Sequence, residues 1–93
     1  MSTKVSFDLD RAWRLHPQVS VRPERFGALL YHFGTRRLSF LKSPKLLAVV
    51  RSLELARTAR EACLAAGVTP AELPSYASAL DTLAASSMIL AAS

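Results

Sequence analysis

The chain has one cysteine among its 93 residues, Cys63, so it can form no internal disulfide and no cysteine-based metal cluster. Histidine is nearly as scarce. His16 and His32 are the only two, and neither has a Cys or carboxylate at ligand spacing, which argues against a zinc or iron site. Three scattered glycines leave no phosphate-cradling loop. The chain has no apolar run of about 20 residues, as a membrane span needs. The opening MSTKVSFDLD has no apolar core behind a basic start, so a secretory signal is not expected and the chain reads as cytoplasmic. Asp8, Asp10, Glu54 and Glu61 lie in polar surroundings without a partner base, and Cys63 falls at an interior helical position. Nothing in this inventory assembles an active site. The sequence reads as a non-enzyme with no cofactor of its own.

What is present is an apolar fraction of 51% against 20% charged residues, the balance of a globular chain. Ninety-three residues bury only about 60–65% of their unfolded surface, enough for one modest core, so residues 1–93 are expected to form one domain. Charge is divided unevenly along it. All twelve Lys and Arg fall between Lys4 and Arg60, where four acids leave a net of +8, while residues 61–93 carry −3. The first two-thirds is therefore the part that can meet an anionic partner.

Residues 1–15 read as an irregular arm that packs Trp13 onto the domain. Pro17 forces His16 to be extended, a turn element rather than a base. Val19-Ser20-Val21-Arg22 alternates with period two and predicts a strand closed by Pro23. Two further strand-prone runs, 28–33 and 36–41, flank Gly34-Thr35, the pattern of a two-residue hairpin loop of type II′. With Phe33 facing Arg36, Tyr31 faces Leu38 and Leu29 faces Phe40. These large residues are expected to form the core side of the ribbon, with His32 on the partly solvated side.

From Ser43 the period changes to 3.6. Ser43 is a good N-cap, Pro44 suits the first helical position, and Leu46, Leu47, Val50 and Leu53 mark one face. Thr58-Ala59-Arg60-Glu61 is a capping box for a second helix that Gly67 ends, and Thr69-Pro70-Ala71-Glu72 is another box before a third. Tyr76, Ala77, Leu80, Leu83, Ala84 and Ser87 share a side of that last helix, and Met88-Ile89-Leu90 is expected to cover the core. Strands followed by helices predict an α+β fold, a winged-helix-like arrangement with an N-terminal three-stranded antiparallel sheet (19–42) packed on about three helices (43–90).

The basic sheet and the AAGVTPAEL turn leave two readings open. A DNA-binding helix-turn-helix needs a basic reading helix, yet no Lys, Arg, Asn or Gln follows Arg60 and Asp81 has the wrong sign. The alternative is a peptide binder. The strand Arg36 to Lys42 has an open far edge, with Arg36, Arg37, Lys42 and Lys45 around it, suited to adding an extended acidic peptide.

The run from Trp13 to Val50, with the segments RPERFGALLYHFG and LSFLKSPKLL, resembles the mycofactocin-system peptide chaperones. These are relatives of the PqqD-like recognition domains for ribosomally made, modified peptides. The likeness covers residues 8–66 closely and the Ala-rich tail weakly. It implies that a precursor-peptide leader adds as a strand to Arg36-Arg37-Leu38-Ser39-Phe40-Leu41-Lys42 and lies against Tyr76, Ala79, Leu80 and Leu83 of the third helix. If Leu38 and Phe40 are core, then Arg37, Ser39 and Leu41 face the peptide. The resemblance also implies a radical S-adenosylmethionine maturase as partner, which holds the iron–sulfur clusters itself, and no role for nucleic acid or membrane. The basic patch Arg11, Arg14, Arg22 and Arg25 is a candidate surface for docking it.

Overall fold

The computed structural model describes residues 7–92. The chain is α+β. In order come β1 (Trp13–Leu15), β2 (Val19–Glu24), β3 (Gly27–His32), β4 (Arg37–Leu41), α1 (Pro44–Ser52), α2 (Ala59–Ala65), α3 (Leu73–Ala85) and β5 (Ile89–Ala91). The central sheet is antiparallel in the order β2-β3-β4. Its β3–β4 register pairs Leu29 with Phe40 and Tyr31 with Leu38, as the alternation predicted.

The faces are reversed relative to expectation. Ala28, Leu30 and Leu41 are wholly buried, whereas Leu38 and Phe40 are more than half exposed. The side carrying the smaller residues is the core side, because α1 lies across β3 with Leu46, Val49 and Val50 buried beneath it. Large aromatics there would hold the helix off the sheet. His32 follows the same parity and is 2% exposed, not partly solvated.

The hairpin turn also differs. The connection spans residues 33–36, with the Arg36 N–H donating to His32 O at 2.7 Å. Arg36 takes the positive φ of 62°, and Gly34 does not. The tight loop lies one connection earlier, where Glu24 pairs with Gly27 across Arg25-Phe26. Strand β2 accordingly runs through Pro23, tolerated on an edge strand. Gly27 has φ 152°, and a Cβ there would collide with Leu41 O and lie 2.8 Å from Ser43 N. Only a glycine lets the start of β3 approach the end of β4 this closely.

The helix starts follow the sequence. Ser43 Oγ accepts from Leu46 N at 3.1 Å, and Thr58 Oγ1 from Glu61 N at the same distance. Two more orphan donors at the head of α2, Ala59 N and Arg60 N, donate to Arg11 O and Leu9 O. Asp10, for which the sequence offers no partner base, meets the Arg60 guanidinium at 2.8 Å. Gly67 ends α2 in a Schellman motif, Val68 N donating to Cys63 O and Gly67 N to Leu64 O. Helix α3 stops at Ala85 rather than reaching Ser87, because Ser87 itself turns left-handed (φ 62°) and Met88 N closes on Leu83 O.

That turn sends the chain into β5, which pairs with β1 in a second, two-stranded sheet, Trp13 opposite Ala91. The arm is thus partly a strand, and Trp13 is 2% exposed as anticipated. The buried apolar side chains form one cluster from both sheets and all three helices.

Gly27→Ala is expected to lower stability by about 2–4 kcal/mol, since β3 must move away from Leu41 and Ser43. Urea unfolding of the two proteins measures it; equal midpoints would mean that the close approach is not needed.

Candidate functional site

Strand β4 is an edge of the central sheet, and α3 passes beside it. Between them runs a largely apolar groove of about 480 Å³, lined by Leu38, Ser39, Phe40, Leu41 and Lys42 on one wall and by Ala79, Thr82 and Leu83 on the other, with Leu46 at its base. Seven of the residues expected from the sequence therefore meet in one place: Leu38, Ser39, Phe40, Leu41, Lys42, Ala79 and Leu83. Four do not line it. Arg36 and Arg37 sit exposed at the hairpin end, Leu80 is wholly buried in the core, and Tyr76 packs half-buried against it. Thr82 and Leu46 were missed. Thr82 lies one turn beyond Ser78 and three residues from Ala79, a spacing that sequence alone could have assigned to the same face.

The direction of the β4 backbone follows from its neighbours. The Phe33 N–H donates toward β2, to Gln18 O at 2.9 Å, and His32 O accepts from the β4 side. Strand alternation then turns the polar groups of residues 28, 30 and 32 toward β4, so their partners Arg37, Ser39 and Leu41 face inward. The N–H groups of Leu38 and Phe40 face the open edge. Ser39, expected to face the peptide if Leu38 and Phe40 were core, spends its N–H on β3, and Leu41 is a core residue.

Two devices hold this edge. The first is a histidine pair at the hairpin turn. His32 Nδ1 accepts from Gly34 N at 3.0 Å and from Thr35 N at 3.1 Å, so the ring carries its proton on Nε2, which finds no partner among the described residues. His16, whose Nδ1 accepts from Gln18 N, lies 4.2 Å from His32 between ring centres. Desolvation holds the His16 imidazole below its ordinary range, with repulsion from His32 and Arg14 adding to it. The second device is Lys45. Its Nζ donates to Glu72 Oε1 at 3.2 Å and to Gly67 O at 3.4 Å, tying the start of α1 to the turn before α3. Glu72 also accepts from Thr69 N, and these bonds keep its carboxyl below the usual carboxylate range. Lys45 is therefore committed to the frame of the groove rather than free to meet a ligand.

Charge is one-sided across the groove. Residues 19–42 hold five basic residues and one acid, Glu24, which pairs with Arg22. The exposed side of α3 carries Ser75, Ser78, Asp81, Thr82 and Ala85, a surface unsuited to a phosphate backbone. Cys63 is fully buried, and burial pushes its thiol up. Among the described residues no group of three or more His, Cys, Asp or Glu could hold a metal ion, and no helix is long and apolar enough to cross a membrane.

A family profile described as the peptide chaperone MftB family matches residues 12–90. A protein named peptide chaperone MftB from Mycobacterium ulcerans (strain Agy99) is 61% identical over 85 residues, 91% of this chain and 78% of that one. Its namesake from Mycobacterium tuberculosis (strain ATCC 25618 / H37Rv) is 58% identical over 84 residues, 90% and 77% of the two chains. That from Mycolicibacterium smegmatis (strain ATCC 700084 / mc(2)155) is 51% identical over 90 residues, 97% and 88%. No solved structure matches the chain.

Folding favours neutral His16, so its contribution is present above about pH 6.5 and lost as pH falls through the folded value. The urea midpoint is expected to drop as pH falls below about 6.5, less steeply in His16→Gln. An identical slope in both proteins would remove His16 from the acid response.

Proposed function

The chain belongs to the peptide chaperone MftB family, and on that premise we propose that it is a non-catalytic adaptor that holds the leader of a precursor peptide for a radical S-adenosylmethionine maturase in mycofactocin biosynthesis. The observation that carries this reading is the apolar groove beside an edge strand whose Leu38 and Phe40 N–H groups are unpaired within the sheet. An extended peptide laid there gains main-chain hydrogen bonds from β4 and side-chain contacts from α3.

The groove describes its ligand. Five strand residues, Arg37 to Leu41, extend about 17 Å, so about five peptide residues would pair directly. Alternate apolar side chains would enter between Phe40, Leu46, Ala79 and Leu83, and Asp or Glu would be favoured near Arg37 and Lys42. A dissociation constant near ~1 μM corresponds to about −8 kcal/mol net of the ordering cost. The benefit to the reaction is indirect, because holding the leader raises the effective concentration of the distal end at the maturase. Neither cluster nor S-adenosylmethionine is assigned to this chain.

Calorimetric titration with the precursor peptide tests the reading at the level of one backbone donor. Leu38→Ala removes the side chain, and Leu38→Pro removes the N–H as well. The proline variant is expected to bind about five-fold more weakly than the alanine variant, near 1 kcal/mol for one ladder bond. Ser39→Pro should instead lower thermal stability, its N–H being spent on β3. Equal affinities for the two Leu38 variants, both folded, would contradict strand addition at β4.

A further inference from the structure

The central sheet has a second apolar surface, on the side away from α1. Leu29, Tyr31 and Phe33 from β3 and its turn lie beside Leu38 and Phe40 of β4, with Phe26 next to Phe40 at 6.2 Å between ring centres. Tyr31 and Phe33 meet edge-on at 4.9 Å. Phe26, Phe33, Leu38 and Phe40 are 46%, 61%, 59% and 58% exposed. Single exposed apolar residues are ordinary, but a cluster of aromatics on one sheet face marks a contact surface. Its edge is basic. Among the described residues Arg25, Arg36 and Arg37 pair with no carboxylate, and Glu24 is occupied by Arg22.

We propose that this face docks a folded protein whose matching surface is apolar at its centre and acidic at its rim, and that, resting on the function proposed above, this protein is the peptide-modifying enzyme. Charge selects that occupant over a second copy of the chain. Two copies face to face would bring two sheets of net +4 together, which like-charge repulsion opposes. Position supports it too. Leu38 and Phe40 send their side chains to the outer face and their N–H groups to the open edge. A protein on the face therefore rests on the strand that holds the peptide. The contact lies on the sheet, and the Arg11 and Arg14 part of the patch singled out in the sequence is outside it.

The test is a double variant, Phe26→Ser with Phe33→Ser, both outside the groove and both exposed, with melting curves to establish folding. Binding to the immobilised maturase is read by biolayer interferometry and binding to the precursor peptide by calorimetry. The expected result is at least about ten-fold weaker binding to the enzyme with peptide affinity within about two-fold of the parent. Arg25→Glu is the second variant, expected to slow association with the enzyme and to weaken its salt dependence. Undiminished enzyme binding by both folded variants would overturn the docking face and leave the adaptor role standing. A parent protein that binds peptide but no enzyme would overturn both. A dimer in sedimentation that the double variant abolishes would assign the face to self-association and overturn the proposal.

Discussion

Backbone N–H groups at Leu38 and Phe40 point away from β3 into a groove whose far wall is α3. An unpaired edge is a hazard in a small protein, because any extended chain can add to it. Here it is narrowed by the helix beside it and flanked by Arg37 and Lys42, and under the proposed function these limits would admit a short strand with apolar side chains and acidic neighbours.

Most of the remaining structure keeps that edge open and at a fixed distance from α3. Gly27 lets β3 pass close to Leu41 O and Ser43 N, which sets where β4 ends and α1 begins. Ser43 caps α1, Lys45 in its first turn reaches Glu72, and Glu72 in turn accepts from Thr69 N in the turn before α3. The two walls of the groove are thus joined by short polar links, while wholly buried Leu80 and nearly buried Leu83 anchor α3 to the core from below. At the other end of β4, His32 accepts two turn N–H groups and holds the hairpin shut. A chain of this size can spare few residues, and its polar contacts fall largely on this frame and on the helix ends.

The strand register, the starts of α1 and α2 and the Gly67 stop were legible in the sequence, because each rests on local chemistry: alternation, a hydroxyl N-cap, a left-handed glycine. The buried face of the sheet was not. Alternation tells which residues share a face, but size suggested that Tyr31, Leu38 and Phe40 would be inside. Packing chose the opposite, since α1 needs Ala28 beneath it, and the larger side chains were left outward. That inversion moved Leu41 into the core, and closure of the hairpin at His32 and Arg37 instead of Phe33 and Arg36 turned the N–H of Ser39 toward β3. The β1–β5 pair was hidden for a different reason. Each strand has three residues, they lie at opposite ends of the chain, and nothing local announces a contact of such long separation. The β4 wall of the groove was read from the open hairpin edge and the α3 wall only from family likeness, and seven of eleven expected residues line it.

Amide hydrogen exchange on the protein alone and with saturating precursor peptide tests the central claim most directly. Leu38 and Phe40 are expected to exchange fast in the free protein and to become protected on binding, while Arg37, Ser39 and Leu41 are slow in both states. Protection that appears elsewhere, with Leu38 and Phe40 unchanged, would contradict the account of β4 as the strand that receives the peptide.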